Sequence, residues 1–161
     1  MKKNGFTLLE TIIVLGIISV FSLIGINTIN SFREEAELDS AVNEFVTELK
    51  MARNKSMAGE VLGSETEADF EMDGLPQYGI QTTPGNYSLT RTFIKVDGSS
   101  GFDTLETIAL DTGLTLSPLD TIYFDRISGK TSSESFNIQR SSGVGKKIDI
   151  SSEGVITISD L

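Results

Sequence analysis

The sequence predicts an α+β protein: one long N-terminal membrane-spanning helix packed on an antiparallel β-sheet or sandwich domain. Three observations carry that prediction. An apolar run from Phe6 to Ile29 contains Glu10 as its only ionisable residue. Apolar residues then recur at spacings of three and four from Leu38 to Ala52. After Gly59 the texture changes to Ser, Thr, Gly and short β-rich segments divided by turn signals. A chain of 161 residues suits one modest domain plus such a helical segment.

The apolar run comes first. As a helix it spans roughly 36 Å at about 1.5 Å per residue, enough for the ~30 Å hydrocarbon core of a bilayer. Lys2 and Lys3 precede it, which keeps the N-terminus cytoplasmic and sends the rest of the chain outward. A secretory signal peptide has a shorter apolar region ending at a small-residue cleavage site. Here Ser19-Val20-Phe21 and Gly25-Ile26-Asn27 are poor sites of that kind, and the helical pattern runs past them. A plain single-pass anchor explains the run better, but not Glu10.

The pattern continues beyond the apolar run. Leu38, Ala41, Val42, Phe45, Val46, Leu49 and Ala52 mark one amphipathic face, with Glu37, Asn43, Glu44 and Glu48 mostly away from it. Lys50, Arg53 and Lys55 gather where they suit the C-terminal dipole, and Gly59 is the expected stop. The first Pro is Pro76, so one helix of roughly 80 Å from Phe6 to Ala58 is expected.

The remainder reads as strands at Tyr78–Thr82, Tyr87–Val96, Glu106–Leu110, Leu114–Ser117, Thr121–Asp125, Ser135–Gln139, Lys146–Ser151 and Val155–Ser159. Pro84-Gly85-Asn86, Asp97-Gly98, Thr112-Gly113, Ser128-Gly129 and Glu153-Gly154 separate most of them. The last two strands read as a hairpin, with Ile148 and Ile150 facing Val155, Ile156 and Ile158. Short strands joined by tight turns point to antiparallel pairing and not to βαβ units.

Composition removes whole classes of chemistry. The chain has no Cys, so disulfides and thiolate chemistry are excluded. It has no His, so Ser-His-Asp and Cys-His arrangements and imidazole metal ligation are excluded too. A hydrolase would have to work with carboxylates alone; Asp125 and Glu134 are available, but nothing pairs them. No cofactor motif is present. The formal net charge of -10 argues against a nucleic-acid partner, and loss of Lys2 and Lys3 with a leader would make it more negative.

Glu10 is the residue that needs a reason. A carboxylate at the centre of a membrane helix costs about 2.5–3.5 kcal/mol on insertion scales, less near the edge. If the chain is cut between Gly5 and Phe6, the new ammonium lies one helical turn from Glu10, and the helix N-terminal dipole also favours a first-turn carboxylate. Between staggered neighbouring chains, one chain's ammonium would neutralise another's carboxylate where both are costly alone. Glu10 is then a registry device for lateral packing of identical helices.

These residues resemble a known signal. Lys2-Lys3-Asn4-Gly5-Phe6-Thr7-Leu8-Leu9-Glu10, followed by Thr11-Ile12-Ile13-Val14-Leu15-Gly16-Ile17-Ile18, is similar to the class III signal of type IV pilins and type II secretion pseudopilins. The resemblance implies cleavage after Gly5 by a prepilin peptidase, N-methylation of Phe6 and an assembly role for Glu10. It also implies a non-enzymatic subunit of a pilus or pseudopilus, partnered by other subunits and an inner-membrane assembly platform. Such a subunit is single-pass in the cytoplasmic membrane, with its C-terminal domain outside, before it joins a cell-surface or periplasmic filament. Many pilins carry a helix-kinking Pro near the position that Asn27 occupies here. The resulting division is 1–5 as leader, 6–29 as membrane and filament-core helix, 30–59 as amphipathic helix and 60–161 as an extracytoplasmic β domain. A membrane-anchored binding module that never polymerises is the contrasting reading.

The tail resembles the H-type (FimT-like) minor pseudopilins in its order of long helix, acidic loop and six to eight strands. Ile122-Tyr123-Phe124-Asp125-Arg126-Ile127-Ser128-Gly129 and Lys147-Ile148-Asp149-Ile150-Ser151-Ser152-Glu153-Gly154-Val155-Ile156 carry that likeness. It raises DNA uptake through Arg140, Lys146 and Lys147. Sixteen acids against seven bases after Gly59 leave little phosphate neutralisation, so a solvated hairpin face is expected there.

Glu65, Glu67, Asp69, Glu71 and Asp73 alternate along 64–74, and Asp69-Phe70-Glu71-Met72-Asp73-Gly74 imitates the start of a calcium loop. An EF-hand needs a bidentate Glu at its twelfth position, where this chain has Ile80. A solvated acidic loop without a metal is expected.

Overall fold

The computed structural model describes residues 7–161 apart from 64, 72 and 73, and within the helix it does not describe the side chains of 23–28 and 31. Helix α1, Leu8–Ala58, runs for 51 residues and continues unbroken through Asn27, where no Pro interrupts the hydrogen-bond ladder. It stops where the sequence predicts. Gly59 takes φ +61°, which suits a residue without Cβ, and donates to the Ser56 carbonyl at 3.1 Å while Glu60 N–H reaches Lys55 at 3.2 Å.

The chain divides into two compact units, one ending at Glu37 and the other Leu38–Leu161. In the first, Leu8, Leu9, Ile12, Ile13, Ile17 and Phe21 are all exposed, so the helix is apolar on every side without a covering layer. Among the described residues no helix is long and apolar enough to cross a membrane. The predicted span of 6–29 includes Phe6 and the side chains of 23–28, which lie outside the described residues.

The second unit is α+β. A 3-10 turn at Glu67–Asp69 precedes eight strands: β1 (Gln77–Thr83), β2 (Asn86–Ile94), β3 (Ser100–Ala109), β4 (Leu114–Ser117), β5 (Thr121–Tyr123), β6 (Glu134–Arg140), β7 (Gly145–Ile150) and β8 (Ile156–Asp160). They form two antiparallel four-stranded sheets, ordered β3-β2-β1-β5 and β4-β6-β7-β8. All seven residues of the predicted amphipathic face, Leu38 to Ala52, are buried. Phe45 joins the layers, its ring lying edge-on to Tyr87 of the first sheet at 5.0 Å and to Phe136 of the second at 5.5 Å. Edge-on rings add about 0.5–1.5 kcal/mol each beyond their area burial.

The bounds of β3 and β5 depart from expectation for physical reasons. β3 begins at Ser100, well before the predicted Glu106, because an edge strand needs no continuous apolar pattern. β5 ends at Tyr123 because Asp125 folds into a turn: its carboxylate accepts from Ser128 N–H at 3.1 Å and Ser128 Oγ at 2.6 Å. The closing hairpin pairs Ile148 with Ile158 and Ile150 with Ile156. Ile148 and Ile150 are buried, but Val155 and Ile158 are exposed, since β8 is an edge.

Gly79 is required by close approach. A Cβ there would collide with the Ile122 carbonyl, so its absence lets β1 and β5 pair at Gly79↔Tyr123.

Candidate assembly site

The described N-terminal residues form a helix start with a specific geometry. Thr7 stands just before α1, and its Oγ1 accepts the Glu10 backbone N–H at 3.3 Å. Glu10 is therefore the third helical residue, in the Thr-x-x-Glu spacing of a capping box, and its carboxylate lies in the first turn, at the positive end of the helix dipole. Further along, the hydroxyls of Thr11, Ser19 and Ser22 donate to the carbonyls of Thr7, Leu15 and Ile18 at 3.3, 2.8 and 2.9 Å. Those hydroxyls are thereby satisfied within the helix. Glu10 is left as the exposed charge of this stretch. Gly5 and Phe6, the predicted cleavage pair, lie outside the described residues.

The acidic loop is not merely solvated, which corrects the expectation. Glu65 pairs with Arg91 at 2.7 Å and Lys95 at 3.0 Å, and Glu67 pairs with Arg126 at 3.3 Å. Asp69 accepts from Thr66 N–H at 2.6 Å and from its hydroxyl at 2.9 Å, which holds its carboxyl below the usual range. Phe70 is buried, edge-on to Phe93 at 5.7 Å. Glu71 N–H to Ile94, Val96 N–H to Asp69 and Ile94 N–H to Gly74 stitch the backbones together. Among the described residues no three acidic side chains converge to hold a metal ion.

Arg91 is the residue that sequence reasoning missed. It is 3% exposed and sits in the apolar phase of β2, two residues from Leu89 and from Phe93, directly opposite Asp103. It forms ion pairs with both Glu65 and Asp103, and its guanidinium lies 4.5 Å from the Phe93 ring. A base in the inward phase of a strand was the available signal, since a buried guanidinium needs carboxylates brought to it.

The basic cluster is largely engaged within the fold. Lys146 reaches Asp39 at 3.0 Å and Asp160 at 3.2 Å, while Lys147 reaches Asp149 at 2.7 Å. Arg140 is also engaged. Asp125 is a turn residue whose carboxyl is held low by the Ser128 hydroxyl and then its N–H. Glu134 lies at the start of β6.

Known proteins agree with the chain at one end. Residues 1–26 match the family model of the prokaryotic N-terminal methylation motif. Thr7, Glu10, Ser19 and Ser22 all fall inside that match. No curated protein and no solved structure matches the chain.

Proposed function

We propose that this chain is a structural pilin or pseudopilin subunit, cleaved between Gly5 and Phe6, methylated at Phe6 and assembled into a type IV pilus or type II secretion pseudopilus. The match of residues 1–26 to the N-terminal methylation motif carries this reading. The Thr7 hydroxyl supports it by holding the Glu10 N–H in the first turn of the helix, inside the matched residues. Before assembly the apolar helix holds the chain in the cytoplasmic membrane, with the Leu38–Leu161 unit outside. In the filament the exposed apolar side chains pack against neighbouring helices, driven by close contact and by burial between subunits.

Glu10 then acts as a registry group, paired with the ammonium of a neighbouring subunit. The long helix, the acidic loop and the two antiparallel sheets favour a minor subunit of the H-type over a major one. Its partners are other subunits, the prepilin peptidase and the inner-membrane assembly platform. The role proposed is structural and not catalytic, in keeping with a sequence that contains neither Cys nor His. Glu10→Ala tests the registry role. Membrane insertion is retained and filament incorporation is lost; normal incorporation of the variant would overturn the role given to Glu10.

A further inference from the structure

Where α1 crosses the first sheet, three carboxylates surround a hydroxyl that has nothing to bond. Tyr87 and Glu106 share the sheet face that receives the helix, because Tyr87 stands opposite Ile108 and Leu89 stands opposite Glu106. Phe45 packs on Tyr87, and its helix neighbours Glu44 and Glu48 flank that contact. The Tyr87 side chain is 1% exposed, and its hydroxyl ends among these acids without a hydrogen-bond partner. Glu48 Oε2 is buried and unpartnered as well. Burial, and then Glu106 and Glu44, raise the Glu48 carboxyl above its usual range; burial followed by Glu44, Glu48 and Glu106 raises the Tyr87 phenol. No basic side chain pairs with any of the three acids among the described residues.

Such a group of acceptors lacks a cation. The three acids do not converge as metal ligands. An ammonium on a flexible stem can instead reach the exposed acids Glu44 and Glu106 in turn. The same chain carries a matching donor. Among the described residues from Leu38 onward, every basic side chain except Lys50 has a partner: Arg53 on the Gly129 and Glu153 carbonyls, and the others in ion pairs or otherwise engaged. Lys50 is exposed and opens with Arg53 and Asn54 onto a cleft bounded by Gly154, Val155 and Ile156.

We propose that Glu44, Glu48 and Glu106, which rim the buried Tyr87 hydroxyl, form a receiving site for the Lys50 ammonium of a second copy of this chain. The donor and the receiving site are different surfaces, so the contact between two copies is head-to-tail. This deepens the filament reading by adding a contact between folded units to the one between apolar helices.

Complementation in the full chain, held in detergent micelles, tests the contact. Glu48→Lys destroys the receiving site and keeps the donor; Lys50→Glu destroys the donor and keeps the receiving site. Each variant alone should self-associate at least about tenfold more weakly than the parent by sedimentation. Mixed, they should form heterodimers, and carbodiimide should link the Lys50 of one to the acids of the other, as read by isotope-labelled peptide mass. Variants that retain circular dichroism but give no heterodimer overturn the proposal, as does parental self-association of Glu48→Gln. Neither substitution touches residues 1–26. A processed chain that fails to complement therefore removes this contact alone, whereas an unprocessed chain that complements keeps it and removes the filament reading.

Discussion

Tyr78 donates its backbone N–H to the Ser56 hydroxyl at 2.6 Å, and the same hydroxyl donates back to the Tyr78 carbonyl at 3.2 Å. Ser56 is fully buried near the end of α1, and Tyr78 is the second residue of β1. One small side chain thus ties the helix to the first sheet. The Tyr78 hydroxyl adds a second tie at 2.8 Å to the Glu60 carbonyl. Ser56→Ala leaves the Tyr78 N–H buried without a partner and should cost about 1–3 kcal/mol. Denaturant unfolding of the full chain in micelles measures this. A change within a few tenths of a kcal/mol would show that the tie does not hold the domain together.

Gly79→Ala should destabilise the same domain by about 1–3 kcal/mol, because the added Cβ meets the Ile122 carbonyl across β1 and β5. Gly16→Ala is the control: nothing lies within 4 Å of its Cβ position, and the domain's transition should not move. Equal transitions for both variants would contradict the pairing.

The docked acidic loop should loosen in acid. Hydrogen bonds from Arg91 and then Lys95 hold the Glu65 carboxyl below its usual value of 4.5. A depressed folded value means the stabilisation is fully present above the unfolded value and is lost as pH falls through the folded one. Arg91 also faces Asp103, so the guanidinium keeps one partner when Glu65 is protonated. Hydrogen exchange at Glu71 and Val96, whose N–H groups bond Ile94 and Asp69, should speed up relative to the core as pH falls below the usual carboxylate range. Glu65→Gln should reduce that acid dependence, leaving the share that Asp69 carries through Thr66.

Duplex DNA should show no salt-sensitive mobility shift with the full chain, and Lys146→Glu/Lys147→Glu should change nothing. Both lysines already have carboxylate partners, so little positive charge remains for phosphates. A shift lost in the double variant would instead favour DNA capture.

Much of this was legible in the sequence because periodicity reports burial directly. Leu38 to Ala52 lie on one face of a 3.6-residue helix, and all seven are buried. Gly59 as a stop followed from the same local rules. Glu10 stood out in the sequence because a carboxylate is costly in an apolar run, and the structure adds that its N–H is held by the Thr7 hydroxyl. What escaped depended on partners distant in sequence. Ser100 to Leu105 join β3 through pairing with β2 across a bulge at Leu89/Thr90, which no local pattern signals. Glu65 meets Arg91, and Arg53 meets Gly129 and Glu153, only once the sheets have formed. The acidic loop read as solvated because composition reveals charge and not the buried cation that draws it in.

The central claim is that the chain is cut after Gly5 and works as a filament subunit. Intact and N-terminal peptide mass of the protein from its native membrane tests it most directly. The account predicts a chain that begins at Phe6 and carries one added methyl group on its amine. A chain that retains Met1 to Gly5 would contradict it and leave a membrane-anchored binding module in its place.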